Sequence, residues 1–165
     1  MCIIIDTNSF ASVFNQKSSD HDQFHPIKNW IYSGSGRIVY GGTKYLLELK
    51  QSRKYLKTFV ELGNIRKATI LDKEQVDRTD LDIKEKNTNP DFNDTHIVAI
   101  VIISGCRIVC TKDSRSDVFL KDKRFYPKNF KVPKIYRGKD NVHLISNNSI
   151  KSNCAICKNR ESSST

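Results

Sequence analysis

Cys2, Ile3, Ile4 and Ile5 form a short unbroken apolar run that ends at Asp6. A run of this kind, rich in β-branched side chains and without polar alternation, predicts a strand covered on both faces. Ligands of open α/β sheets sit at the carboxyl ends of the strands, so Asp6 stands where chemistry is expected. Residues 8–14 are then expected to be helical, and the polar residues 18–25 to form a connection. Pro26 suits the first turn of a helix through Ile27, Trp30 and Ile31 that ends at Gly34 and Gly36. Residues 37–40 read as a second short strand, broken by Gly41 and Gly42.

From Thr43, the positions of Tyr45, Leu46, Leu49 and Leu56 recur at helical spacing and predict a helix to about Leu62, before Gly63. Residues 68–71 predict another strand, and residues 72–86 a helical or irregular stretch. The sequence Asn87, Thr88, Asn89, Pro90 is a strong break, with Asn93 as N-cap of a segment starting at Asp94. Residues 97–103 are ambiguous, because their β-branched content argues for a strand and their place between a cap and Gly105 argues for a helix. Residues 107–110 already supply a strand after that glycine, so a buried helix is expected. The basic segment 121–139 is interleaved with Phe125, Tyr126, Phe130 and Tyr136, and residues 143–145 are expected to form a last strand. This divides the chain into one domain, residues 1–147, and a polar, loose tail, residues 148–165.

The chain has 165 residues, 38% hydrophobic and 28% charged, which suits a single globular α/β domain rather than a fibrous or disordered chain. Its net charge of +10 and pI near 9.4 favour a polyanionic partner, since phosphates reward clustered Lys and Arg by counterion release. Solubility alone is the plainer account of such basicity. The amino terminus reaches Asp6 without the features of a secretory signal, and the richest apolar run falls well short of the roughly 20 residues that span a membrane. A cytoplasmic protein without a membrane partner is therefore expected. The five cysteines read as free thiols or metal ligands. Cys2, Cys106 and Cys110 are expected to fill core volume. Cys154 and Cys157 have zinc-knuckle spacing but lack a second Cys pair, although His143, or His21 with His25, could join them.

Four carboxylates stand out by context: Asp6 after the first strand, Glu48 in a mid-chain helix, Asp94 at a helix start and Asp113 after the strand at 107–110. Three of these positions belong on one edge of a parallel sheet. Clustered carboxylates repel one another unless protons are shared or a divalent cation is bound, and oxygen-only ligation suits Mg²⁺ or Mn²⁺. The bland readings are a helix N-cap for Asp6 and Asp94, a surface ion pair for Glu48 and a turn for Asp113. Asp91 and Asp122 are expected to face solvent. The glycines at 34, 36, 41 and 42 fit neither the dinucleotide fingerprint nor the P-loop.

The segments Ile3 to Asn8, Tyr45 to Leu49, Asn93 to Ala99 and Val109 to Asp113 together resemble the four acidic motifs of the PIN-domain nucleases, over residues 2 to about 120. The resemblance implies a Rossmann-like three-layer α/β/α sandwich with a mainly parallel sheet, often a homodimer, and a metal-dependent endoribonuclease that hydrolyses RNA with metal-activated water. It makes Asp6, Glu48, Asp94 and Asp113 the catalytic and metal-binding residues, with Asp117 as a further acidic member. Thr7, Asn8 and Thr111 would orient them or the substrate, and Lys44, Lys112 and Arg115 would bind nucleic acid. The toxin of a toxin–antitoxin pair, with an antitoxin protein as partner, or a related defence effector is the implied role. The alternatives are a catalytically silent module that binds RNA or protein, and a phosphohydrolase with Asp6 as nucleophile. The usual Asp-x-Asp of the latter is absent, because residue 8 is Asn.

Overall fold

A computed structural model of the protein describes residues 1–146. Five strands, β1 (Cys2–Ile5), β2 (Arg37–Tyr40), β3 (Ala68–Ile70), β4 (Ile108–Cys110) and β5 (Lys134–Tyr136), form one sheet in the order β3-β2-β1-β4-β5. All four pairings are parallel. The central strand β1 is buried along its whole length, and Ile3, Ile4 and Ile5 are 0% exposed. Its unbroken apolar run therefore reflects a strand covered on both faces.

Seven α-helices connect the strands: α1 (Phe10–Phe14), α2 (His21–Ser33), α3 (Thr43–Gln51), α4 (Arg53–Asn64), α5 (Lys73–Lys86), α6 (Thr95–Ser104) and α7 (Ser116–Leu120). The chain steps from β1 outward to β2 and β3, then returns across the sheet to β4 and continues to β5. Parallel crossovers are right-handed, so this reversal sends the connections to opposite faces and is compatible with a three-layer α/β/α arrangement. The reversal falls between β1 and β4, and the crevice at their carboxyl ends is the topological switch point of the sheet.

The ambiguous residues 97–103 are helical. Thr95 through Val101 are all buried in α6, which explains why no polar face marks the helix. Gly105 ends it in the left-handed conformation (φ 65°), its amide donating to the Val101 carbonyl at 2.9 Å.

Four expectations need correction. Residues 18–25 are not a plain connection: α2 starts at His21 and contains Pro26 in its interior rather than in its first turn. His21 and Phe24 are the inward residues of that turn, and the His21 ring lies 2.8 Å from the Ser12 carbonyl through Nδ1. The single helix expected from Thr43 is two, because Ser52 (φ −100°, ψ 65°) leaves the helical region, and the second runs past Gly63. The segment from Asp94 begins its helix at Thr95, with Asp94 rather than Asn93 in the cap position. Residues 143–145 are part of a 3-10 helix, Lys139–Ile145, and the last strand is β5. That strand is hidden in the basic segment, where Ile135 and Tyr136 alone carry the burial that pairs it with β4.

Cys2, Cys106 and Cys110 are buried among the core residues. Cys154 and Cys157 lie outside the described residues. Among the described residues, no helix is long and apolar enough to cross a membrane.

Candidate functional site

Asp6, Glu48, Asp94 and Asp113 line one open cleft of about 570 Å³, together with Thr7, Asn8, Lys112 and Arg115. The cleft lies at the carboxyl ends of β1 and β4, since Asp6 follows β1 directly and Lys112 and Asp113 come just after β4. Four residues from separate stretches of chain are thus brought together by the sheet order, which a linear reading cannot show.

Asp6 is the best-held member. Its amide donates to the Cys110 carbonyl at 2.8 Å, extending the β1–β4 pairing by one residue. Its Oδ2 accepts from Thr111 Oγ1 at 2.7 Å and from Asn8 Nδ2 at 2.7 Å. Thr111 is fully buried, and its Oγ1 also accepts from the Asp113 amide at 3.2 Å. A short chain of hydrogen bonds therefore joins the loop after β4 to the end of β1. The Asp6 side chain makes no N-cap bond to the 3-10 turn Thr7–Ser9 that follows it. Burial pushes the Asp6 carboxyl up to about 6, and the neighbouring charges of Asp94 and Glu48 add to that rise against the Thr111 and Asn8 donors.

Glu48 is positioned by α3. Gly42 (φ 79°) lets the chain enter that helix, and a Cβ there would meet Val76 Cγ1 at 2.5 Å. One turn before Glu48, the fully buried Tyr45 donates from its hydroxyl to the Ile5 carbonyl at 2.6 Å, fixing α3 to the end of β1. Glu48 Oε2 accepts from Thr7 Oγ1 at 2.9 Å and lies 3.8 Å from His96 Nε2, rather than in the surface Lys or Arg pair of the bland reading. His96 is 2% exposed, and burial, with the Lys44 charge nearby, holds its imidazole down to about 3, so it is neutral at pH 7.

Asp94 occupies the N-cap position of α6 without a side-chain cap bond, so its carboxylate is not spent on the helix end. Burial raises its pKa, and Asp113 adds to that, while Lys44 and Arg115 act against it. Asp113 is held differently. Arg115 donates from Nε to Oδ1 and from Nη2 to Oδ2, both at 3.0 Å, and this pair keeps the Asp113 carboxyl below the usual carboxylate range. The Arg115 amide also donates to Asp113 Oδ1 at 3.0 Å, a turn bond of the kind expected of a loop aspartate.

The remaining candidates divide. Lys112 lines the cleft, and its ammonium is paired with Asp20 while its amide donates to Asn8 Oδ1 at 3.2 Å. Lys44 donates to the Asn93 carbonyl and lines a neighbouring cleft. Asp117 is not among the residues lining the acidic cleft. Its carboxylate takes Arg137 through Nε at 3.2 Å and through Nη2. Arg137 also donates to the Thr111 carbonyl at 3.2 Å and the Asp113 carbonyl at 2.7 Å, so it clamps the loop that carries Asp113. Arg137 and His96 carried no distinguishing signal in the sequence, one being lost in a basic run and the other next to a stronger acidic motif.

The aromatic residues of the basic segment are not free platforms for bases. Phe125, Tyr126 and Tyr136 are buried, and Tyr126 stacks on Phe130 with ring centroids 5.3 Å apart. Among the described residues, no three acidic, His or Cys side chains close on one another as a preformed metal cage would. The four carboxylates of the cleft offer a cation oxygen ligands, the set that hard divalent cations take. No family model matches the chain, and neither a curated protein nor a solved structure matches it.

Proposed function

We propose that the protein is a divalent-metal-dependent endoribonuclease of PIN-like architecture, with Asp6, Glu48, Asp94 and Asp113 as its metal-binding carboxylates. The observation that carries this reading is the gathering of all four, from four sequence segments, on one cleft at the switch point of a parallel sheet. Mg²⁺ keeps several waters and takes one or two carboxylates rather than an all-protein cage, so a wide cleft edged by acids fits it or Mn²⁺. The raised Asp6 carboxyl fits as well, because it marks negative charge that a cation would relieve.

A bound divalent cation supplies Lewis acidity and lowers the pKa of water near a phosphodiester. The chain itself holds Asp6 in place through Thr111 and Asn8, and Glu48 through Thr7. Arg115 and Lys112 set positive charge at the rim, where an RNA phosphate would arrive. Asp117 acts through Arg137 in this reading, as a positioning residue for the Asp113 loop. A homodimeric state and an antitoxin partner belong to the same proposal through the PIN resemblance.

The test is incubation of the purified chain with Mn²⁺ or Mg²⁺ and both single-stranded and structured RNA. Cleavage that EDTA and Asp6→Asn each abolish is the expected result. RNA that is bound but stays intact, with the fold and metal binding shown to be sound, would replace this reading by the silent binding module.

A further inference from the structure

A second cleft, of about 460 Å³, shares a wall with the acidic one. The shared wall is the start of α6, where Asp94 faces the acidic cleft while Asn93 and Thr95, on either side of it, line the second. Lys44 joins the two, since it lines the second cleft, donates to the Asn93 carbonyl and acts electrostatically on Asp94.

The second cleft is built in advance of any ligand. Asn87 Nδ2 donates to the carbonyls of Asn89 and Phe92, both at 3.0 Å, and Asn87 Oδ1 accepts from the Asn89 amide at 3.1 Å. These bonds hold the break between α5 and α6 as a shaped rim. From α5, Lys84 is tethered at 2.6 Å to Asp80, a carboxylate only 6% exposed that also accepts from Thr95 Oγ1 at 2.6 Å. The Lys84 side chain stays 49% exposed, and an ammonium has three donors, so the tether aims it at the cleft without exhausting it.

The lining chemistry selects the ligand. Two ammonium groups, the Thr88 hydroxyl and the side-chain amides of Asn89 and Asn93 suit phosphate and ribose oxygens. The one aromatic residue of the lining, Phe92, is 4% exposed and stacked on Phe119 with centroids 4.5 Å apart, so its face is not offered to a base. We infer that this cleft carries the sugar-phosphate backbone of the nucleotides flanking the phosphate held at the acidic cleft, as a sequence-tolerant track for single-stranded RNA. The inference rests on the nuclease reading and extends it.

Fluorescence anisotropy of the full chain in Mn²⁺ with labelled, nuclease-resistant phosphorothioate oligouridylates of three and eight nucleotides tests it. Thr88 is exposed, so Thr88→Glu sets a negative charge at the rim without touching the core. It should weaken octamer binding about tenfold, lower the salt dependence by about 0.7 for each phosphate that is no longer neutralised, and leave trimer binding unchanged. Lys84→Gln should act in the same direction. An octaadenylate should bind like the octauridylate, and a strong base preference that Thr88→Glu abolishes overturns the backbone assignment. Octamer affinity unchanged in both variants, while the unaltered protein binds and cleaves RNA, overturns the track alone. Absence of any RNA binding or cleavage by the unaltered protein overturns the nuclease reading and the track with it.

Discussion

On the β1 wall of the acidic cleft, Asp6 is 6% exposed, receives only neutral donors, and has its carboxyl pushed up to about 6. On the β4 wall, Asp113 is half-buried, gripped by the exposed Arg115, and held below the usual carboxylate range. The two residues share one cleft, yet their charge is compensated in opposite ways. On the Asp113 side an internal cation is already supplied. On the Asp6 side it is missing, so under the proposed nuclease reading a divalent ion would gain most there and would compete with a proton.

The strongest test of this contrast is Asp6→Asn. It should lower RNA cleavage by more than about 100-fold, beyond what loss of a supporting partner costs a metal site, as single-turnover assays with Mn²⁺ would record. Stability should move the other way. The folded protein binds the Asp6 proton more tightly than the unfolded chain, so this group favours folding below about pH 4 and that contribution is lost as pH rises through about 6. Asp6→Asn should therefore raise metal-free stability at pH 8 by up to about 3 kcal/mol in urea melts, with the gain shrinking toward pH 4. A loss of stability at pH 8 would mark Asp6 as a structural residue instead.

Thr111→Val tests the support beneath Asp6. With one of its two donors gone and a methyl group in place of the hydroxyl, activity should fall about 10- to 100-fold. Stability should fall by about 1 to 2 kcal/mol in the same melts. Arg137→Met probes the β4 wall, where the clamp on the Thr111 and Asp113 carbonyls would be lost and Asp117 left without its cation. We expect a cost of about 1 to 2 kcal/mol and a weaker effect on cleavage than Thr111→Val. Arg115→Ala, at a side chain 87% exposed, should change stability by less than about 0.5 kcal/mol while weakening RNA binding most at low salt. A larger loss of stability there than at Arg137 would make the Arg115 pair, rather than the Arg137 clamp, the main support of the β4 wall.

The sequence displayed the acids but not their partners. Asp6 was legible because an apolar run ends on it, and Asp94 because it follows a break and opens a buried helix. The sheet order, which makes β1 and β4 neighbours, is a long-range property that periodicity does not encode. β5 was obscured by the lysines around its two buried residues, and the start of α2 by the polar residues around His21 and Phe24. Arg137 could not be told from other basic residues until the loop it clamps was in place. The aromatic residues interleaved in the basic segment serve mostly to pack the protein against itself.

The bond from Thr111 to Asp6 joins positions 105 residues apart. Asp6 leaves the ribosome with β1, whereas Thr111 follows only after the helices and strands between them have been extruded. At translation rates of roughly 5 to 20 residues per second, that interval lasts on the order of 5 to 20 seconds. Throughout it β1 has no β4 beside it, and the cleft has only one wall. A nascent chain thus carries the acid long before it carries the site that buries it.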